Sequence, residues 1–320
     1  MKIGLIGCGV MGQNHLRVLK NLTEVAEITV SDPSENNLNT AKKTYGIEKC
    51  YSNYNEMIKN EKLDGIVIAT PPITHRNIAI DVLEAKIPTL LEKPIAHTLK
   101  DANDIIEVSK KNNTLLTVGH IERFNPVISQ LKTFLNNNVL KNIYLINTHR
   151  IGPFPKRLLG NVEGVLVDLA IHDFDIIYYL SSKIKSIKSQ VIKENKQEIY
   201  AKTLMELENG VKASSEFSWV SPRYLRTIEI YGDAGMLMGD YYNQEVTFYE
   251  NSDFENAESK NSSFLGEGLI TVGRIIKYPI RKQEPLALEL KNFLNAIKGK
   301  EEILVKPEEA FMALEATLSI

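Results

Sequence analysis

The spacing of apolar residues changes character along this chain. Lys2–Ile6 is a compact apolar run, Val10–Asn21 carries its apolar residues at helical spacing, and Ala26–Ser31 returns to a strand-like run. Asn36–Tyr45 reads as a polar helix that Gly46 stops. Asp64-Gly65-Ile66-Val67-Ile68-Ala69 is a continuous apolar segment, the kind of strand buried on both faces. Helical His75–Ala85, strand-like Thr89–Leu91, helical Thr98–Lys111 and strand-like Leu115–Gly119 continue the alternation. Strands that alternate with helices predict a parallel sheet built from βαβ units.

Beyond residue 120 the rhythm differs. Asn142–Ile151 predicts a strand and Gly164–Ser181 a helix. Glu198–Glu208 and Val211–Val220 flank Asn209-Gly210, a pair that tolerates positive φ and so predicts a tight hairpin. Arg226–Tyr231 and Glu245–Tyr249 are further strand candidates, and polar Asn251–Gly268 reads as an exposed loop. Leu286–Lys298 and Glu308–Ser319 predict two closing helices, the second opened by Pro307. The change of rhythm near Gly119–Asn125 predicts an α/β fold of two domains, residues 1–120 and 121–320, the second with a mainly antiparallel sheet.

Gly7-Cys8-Gly9-Val10-Met11-Gly12 lies between the first predicted strand and the first helix. In that context G-x-G-x-x-G predicts a dinucleotide site. Gly7 permits the turn, Gly9 lets the backbone approach a pyrophosphate, and Gly12 brings helix and strand together. The helix N-terminus adds unpaired N–H groups. Asp32 lies 20 residues beyond Gly12, where a carboxylate accepts from the ribose hydroxyls of NAD and repels the extra phosphate of NADP. Ala69-Thr70-Pro71-Pro72 closes another strand at the ligand-binding edge of such a sheet, although a rigid turn explains the prolines equally well. Glu92-Lys93-Pro94 closes the next strand, where Lys93 is a candidate proton-transfer group; the bland alternative is a solvated lysine. Asp168 and His172 are four residues apart in a predicted helix and share a face. Asp173 and Asp175 read as capping or supporting groups. A zinc site needs three or four ligands, so this pair predicts none.

Composition narrows the class. The 320 residues are 43% apolar and 24% charged, ordinary for a globular protein, with formal charge −2. Near-neutral charge gives no general attraction to nucleic acid or to an anionic membrane. Cys8 and Cys50 make no disulfide framework. No run approaches the ~20 apolar residues of a membrane helix, and the N-terminus lacks a signal-like cleavage site. The expectation is a soluble cytoplasmic protein.

The chain resembles the Gfo/Idh/MocA oxidoreductases, the family of glucose–fructose oxidoreductases, inositol dehydrogenases and relatives. The resemblance rests, in order, on Gly7–Gly12, Ala69-Thr70-Pro71-Pro72 with His75, Glu92-Lys93-Pro94, Gly119 through Arg123-Phe124, and Asp168-Leu169-Ala170-Ile171-His172-Asp173. It implies a Rossmann domain followed by an α/β domain with a large open-faced sheet. It implies a catalytic set of Lys93, Asp168 and His172. The implied NAD contacts are Gly7, Gly9, Val10, Met11, Gly12, Asp32, Thr70, Pro71, His75, Glu92 and Lys93. Substrate contacts are expected from Lys93, Arg123, Arg157, Asp168 and His172.

Val118–Pro126, Arg150–Pro155 and Glu284–Leu290 resemble a subgroup acting on nucleotide sugars. That implies a UDP-linked N-acetylhexosamine oxidised at its 3-hydroxyl. Its pyrophosphate needs cationic partners, for which Lys156, Arg157, Arg223 and Arg226 are candidates, although any one of them reads more readily as solvated surface charge. His172-Asp173-Phe174-Asp175 also resembles inositol-dehydrogenase-like members, so a free polyol or sugar is the alternative. A non-enzymatic NAD-sensing regulator would keep Gly7–Gly12 and Asp32 without the proton-transfer groups, which this chain has. The open sheet face implies a homodimer or homotetramer, with Phe217, Trp219 and Tyr231 fitting either that contact or an ordinary core.

Overall fold

The computed structural model describes residues 1–155, 164–251 and 272–320. The chain forms two compact units, residues 1–124 with 283–318, and residues 125–282 with 319–320.

In the first unit, strands β1 (Lys2–Ile6), β2 (Glu27–Ser31), β3 (Lys49–Tyr51), β4 (Gly65–Ile68), β5 (Thr89–Glu92) and β6 (Leu116–Gly119) form a parallel sheet of order β3-β2-β1-β4-β5-β6. The order reverses direction beside β1, the switch point where such sheets bind ligands at their strand C-termini. Helices α1 (Val10–Leu19), α2 (Glu35–Tyr45), α3 (Tyr54–Asn60), α4 (Pro72–Glu84) and α5 (Leu99–Asn112) make the connections. Ser34 Oγ accepts from Asn37 N to open α2, and Gly46 closes it in the left-handed region at φ 64°. Ile66, Val67 and Ile68 are fully buried, as expected of a strand covered on both faces.

The closing helices α8 (Pro285–Ile297) and α9 (Pro307–Leu318) belong to this first unit, not to the second as the 121–320 division expects. The reason lies in packing that no linear pattern shows. Leu286, Leu290, Phe293 and Leu294 of α8 join the core of β1, α1 and α2, while Ala310 and Leu314 of α9 join that of α4 and α5. A side chain at Gly65 would stand 2.7 Å from Ile297 Cδ1 and 3.1 Å from Phe293 Cζ, so β4 begins on glycine to admit α8.

The second unit is an eight-stranded sheet of order β14-β13-β12-β11-β7-β10-β9-β8. Its strands are β7 (Ile143–Pro153), β8 (Ile184–Glu194), β9 (Gln197–Leu207), β10 (Lys212–Ser218), β11 (Val220–Gly232), β12 (Gly235–Asp240), β13 (Glu245–Asn251) and β14 (Val272–Tyr278). Among the described strands of this sheet only β7 and β10 pair in parallel. The Asn209-Gly210 hairpin forms, with Gly210 at φ 86°. Helices α6 (Pro126–Asn136) and α7 (Ile171–Leu180) also lie in this unit. Phe174 of α7 meets Phe217 edge-on with ring centroids 5.8 Å apart, and both are buried. Trp219 is buried against Phe154. Phe217 and Trp219 are therefore core residues, whereas half-buried Tyr231 donates to Glu229. The loop expected at Asn251–Gly268 falls almost wholly outside the described residues. Among those described, no helix is long and apolar enough to cross a membrane.

Candidate active site

The turn from β1 to α1 is built by its glycines. Gly7 has φ 92°, and a Cβ there would lie 2.5 Å from the Ala69 carbonyl oxygen. A Cβ on Gly12 would lie 2.0 Å from the Gly7 carbonyl oxygen, so only glycine lets α1 start this close to β1. A Cβ on Gly9 would meet nothing within 4 Å, which leaves bare backbone facing open space. Gly9 caps α1 without a side chain, and the first turn of α1 has no acidic residue. Its amide groups thus offer an anion site. Val10 is exposed and Met11 half-buried beside it.

Asp32 ends β2 with a buried carboxylate. Its Oδ2 accepts from Cys8 N at 2.7 Å and from Asn37 Nδ2 at 3.1 Å, and its Oδ1 accepts from Ser34 N at 2.8 Å. Burial, followed by the Asp32 charge, pushes the Cys8 thiol up to about 12, so it is an inert packing group.

Two further strand ends are joined by His75, whose Nε2 is 2.8 Å from the Thr70 carbonyl oxygen and whose Nδ1 is 2.9 Å from that of Pro94. Burial holds this imidazole below its ordinary range, and a neutral ring donates to one of the two carbonyls. His75 thereby shapes the Thr70-Pro71 and Lys93-Pro94 loops from within. Glu92 is also buried: Oε1 is 2.7 Å from His15 Nε2, and Oε2 accepts from Lys93 N at 3.2 Å. Lys93 itself is half-buried. Cofactor contacts are expected of Glu92 and His75; in the structure both bond to protein groups, Glu92 to His15 and the Lys93 amide, His75 to the Thr70 and Pro94 carbonyls. His15 was missed. Its signal is a histidine three residues after Gly12, on the face of α1 that packs inward.

Arg123 was expected to bind substrate. The structure buries it completely and commits Nη1 to Glu309 Oε2 at 2.5 Å, with the Leu304 carbonyl oxygen at 3.4 Å. That pairing ties Arg123 to α9.

In the second unit, Leu166–Ala170 forms a π-helical turn that runs into α7. Asp168 lies in this wider turn and is buried; His172 opens α7 and is half-buried. Such turns recur at functional sites. Of the two roles expected for Asp173, cap or supporting group, the structure shows the second: it pairs with buried Arg150 of β7 at 2.5 Å. Asp168, Arg150, Arg226, Ser218, Trp219 and Tyr224 line a cleft of about 70 Å³. Arg226 lies opposite Arg150 in the β11–β7 pairing and stacks its guanidinium 5.3 Å from the Tyr224 ring centre. Gly152 makes room for that ring, since a Cβ would stand 3.2 Å from Tyr224 Cδ2. Arg223 is exposed and outside the cleft lining. Lys156 and Arg157 lie outside the described residues.

A Rossmann sheet with this glycine turn and acidic strand end defines an NAD-binding protein. Residues 1–120 match the family described as "Oxidoreductase family, NAD-binding Rossmann fold", and residues 128–238 match the "GFO/IDH/MocA C-terminal domain". The chain belongs to the Gfo/Idh/MocA family. It is 25% identical to myo-inositol 2-dehydrogenase of Thermotoga maritima over 98% of this chain and 93% of that protein. The structure of UDP-N-acetylglucosamine 3-dehydrogenase GnnA from Acidithiobacillus ferrooxidans is similar with a TM-score of 0.84 and 22% identity, covering 100% of this chain and 96% of that one. The WlbA dehydrogenase from Bordetella pertussis, in complex with NADH and UDP-GlcNAcA, is similar with a TM-score of 0.80 and 19% identity, covering 100% and 95%.

Proposed function

We propose that this dehydrogenase oxidises a secondary hydroxyl of a sugar to a ketone, and that its substrate is a UDP-linked N-acetylhexosamine oxidised at the 3-hydroxyl. The observation that carries the substrate class is the cleft in the second unit. There a carboxylate able to accept sugar hydroxyls, Asp168, stands with the exposed ring of Tyr224 and the guanidinium of Arg226. Aromatic faces suit a sugar ring or a base, and a guanidinium suits a phosphate. Of the segments that resemble the nucleotide-sugar subgroup, Arg150–Pro155 contributes to this cleft.

NAD, which the Gly7–Gly12 turn and Asp32 would hold, would supply the hydride acceptor. His172 takes the hydroxyl proton as base, Lys93 donates a hydrogen bond to the same oxygen as alkoxide character develops, and Asp168 anchors the substrate. Hydride leaves the carbinol carbon, the C–H electron pair goes with it, and the carbonyl forms as the proton leaves. The second reading, a free polyol substrate, is favoured by the similarity to the Thermotoga inositol dehydrogenase. One experiment separates them: incubation with NAD and a panel of UDP-sugars, free sugars and inositols, with nicotinamide reduction followed optically and products weighed by mass spectrometry. A keto-product from UDP-N-acetylglucosamine, captured by hydroxylamine, supports the first reading. Turnover of myo-inositol at comparable kcat/KM with none for the UDP-sugar replaces it with the second.

A further inference from the structure

Behind Lys93 lies a group of buried ionisable side chains that the reaction above does not use. His15 comes from α1, Glu92 from the end of β5 and Glu289 from α8, and each is at most 8% exposed. Glu92 is held on two sides, by His15 Nε2 on Oε1 and by the Lys93 amide on Oε2. The neighbouring strand makes space for it. A Cβ on Gly119, opposite Glu92 in β6, would lie 3.2 Å from Glu92 Cδ and Oε2. Glu289 is different: among the described residues neither of its carboxyl oxygens has a hydrogen-bond partner, and neither does His15 Nδ1.

We propose that His15, Glu92 and Glu289 form one buried acid–base group in which Glu289 holds a proton, Glu92 holds the charge, and His15 is a positioning residue that keeps this charge facing Lys93. The proposal rests on the proposed role of Lys93 in proton transfer.

The physical argument is that a carboxylate buried without donors is far costlier than the neutral acid, and two carboxylates in one low-dielectric region do not both ionise. Burial and then the Glu92 charge push Glu289 well above the ordinary carboxyl range. Burial pushes Glu92 up too, but the hydrogen bond from His15 and the attraction of His15 and Lys93 outweigh it and hold Glu92 below that range. The ionisable groups around Glu92 are thus His15 from α1 and Lys93 beside it, which act on Glu92, and Glu289 from α8 and His75 from α4, which feel its charge, His75 being kept low by burial. The Glu92 charge in turn favours the ammonium form of Lys93.

The test titrates Lys93 directly in the full-length protein. Acylation by acetic anhydride is measured against pH and read on the Lys93 peptide by mass spectrometry. Glu92→Gln removes the charge and lowers the apparent pKa of Lys93 by about one unit or more, the scale expected of an opposite charge at close range. His15→Phe removes the donor, allows Glu92 to take a proton and moves Lys93 the same way. His15→Gln, which keeps an N–H donor, restores the wild-type titration. An unchanged Lys93 titration in Glu92→Gln overturns the proposal whether or not His15→Phe folds, and so does a His15→Gln shift as large as that of His15→Phe. The proton on Glu289 is read separately as an infrared carbonyl band of a protonated carboxyl at neutral pH, absent in Glu289→Gln; no such band in the wild type overturns that part. Neither readout uses turnover, so failure here is distinct from failure of the proton-transfer role of Lys93, which the loss or survival of activity in Lys93→Met decides.

Discussion

Cys8 N donates to Asp32 Oδ2 at 2.7 Å, joining the glycine turn after β1 to the acidic end of β2 across 24 residues of sequence. The bond holds one carboxylate oxygen against the turn, while Ser34 N holds the other. Asp32→Ser breaks this tie and removes the negative charge that repels a ribose phosphate. NAD affinity is expected to fall and discrimination against NADP to relax, as measured by titration of both dinucleotides. Tighter binding of NADP than NAD by the wild type defeats the assignment.

Gly12→Ala places a Cβ 2.0 Å from the Gly7 carbonyl oxygen. The obstruction is backbone rather than a flexible side chain, so α1 has to retreat from the turn. A substantial loss of NAD binding is expected, with a lower melting temperature. Wild-type NAD affinity in this variant contradicts the role given to the turn.

Lys93→Met and His172→Ala are expected to lose about 10²–10⁴ in turnover, the usual contribution of a positioned acid or base. NAD binding, measured by fluorescence, should survive in both. Near-wild-type turnover of either variant removes that residue from the mechanism.

Arg226→Ala tests the anion contact in the cleft. If Arg226 engages a substrate phosphate, KM for a UDP-sugar rises far more than KM for a free sugar, because only the former loses a remote interaction. Equal effects on both substrates leave Arg226 as a packing partner of Tyr224.

Glu289→Gln carries a signed pH dependence. The native acid binds its proton more tightly than the unfolded one, so wild-type stability falls as pH rises from the unfolded carboxyl value, about 4.3, to the raised native value. The amide does not titrate. The stability of Glu289→Gln relative to wild type should therefore climb with pH above about 4.3 and level off once native Glu289 ionises. Glu92 has the opposite sign: its lowered native value stabilises above the unfolded value, and that contribution disappears as pH falls through the native one. Thermal melts across pH check both, and a difference between Glu289→Gln and wild type that is independent of pH contradicts the buried proton.

The local pattern determined the elements and much of the cofactor half. Fully apolar Ile66-Val67-Ile68 has no polar face to expose, so it becomes a central parallel strand wherever the chain folds. Gly7, Gly9 and Gly12 act within one turn, and backbone sterics between near neighbours are legible from spacing. Asn209-Gly210 is local in the same way. What only tertiary structure decided involves partners distant in sequence. Nothing near Arg123 in the sequence announces its ion-pair partner Glu309, which arrives from α9. Asp173 reads as a cap or a supporting group until Arg150, reaching it from β7, settles which. The helix pattern of residues 285–297 gives its apolar face but not its destination, which a missing side chain at Gly65 settles. His15 and Glu92, 77 residues apart, become a pair only because α1 and β5 converge at one end of the sheet. Charges and burial are properties of such convergences, and the order of residues along a chain does not contain the distances that set them.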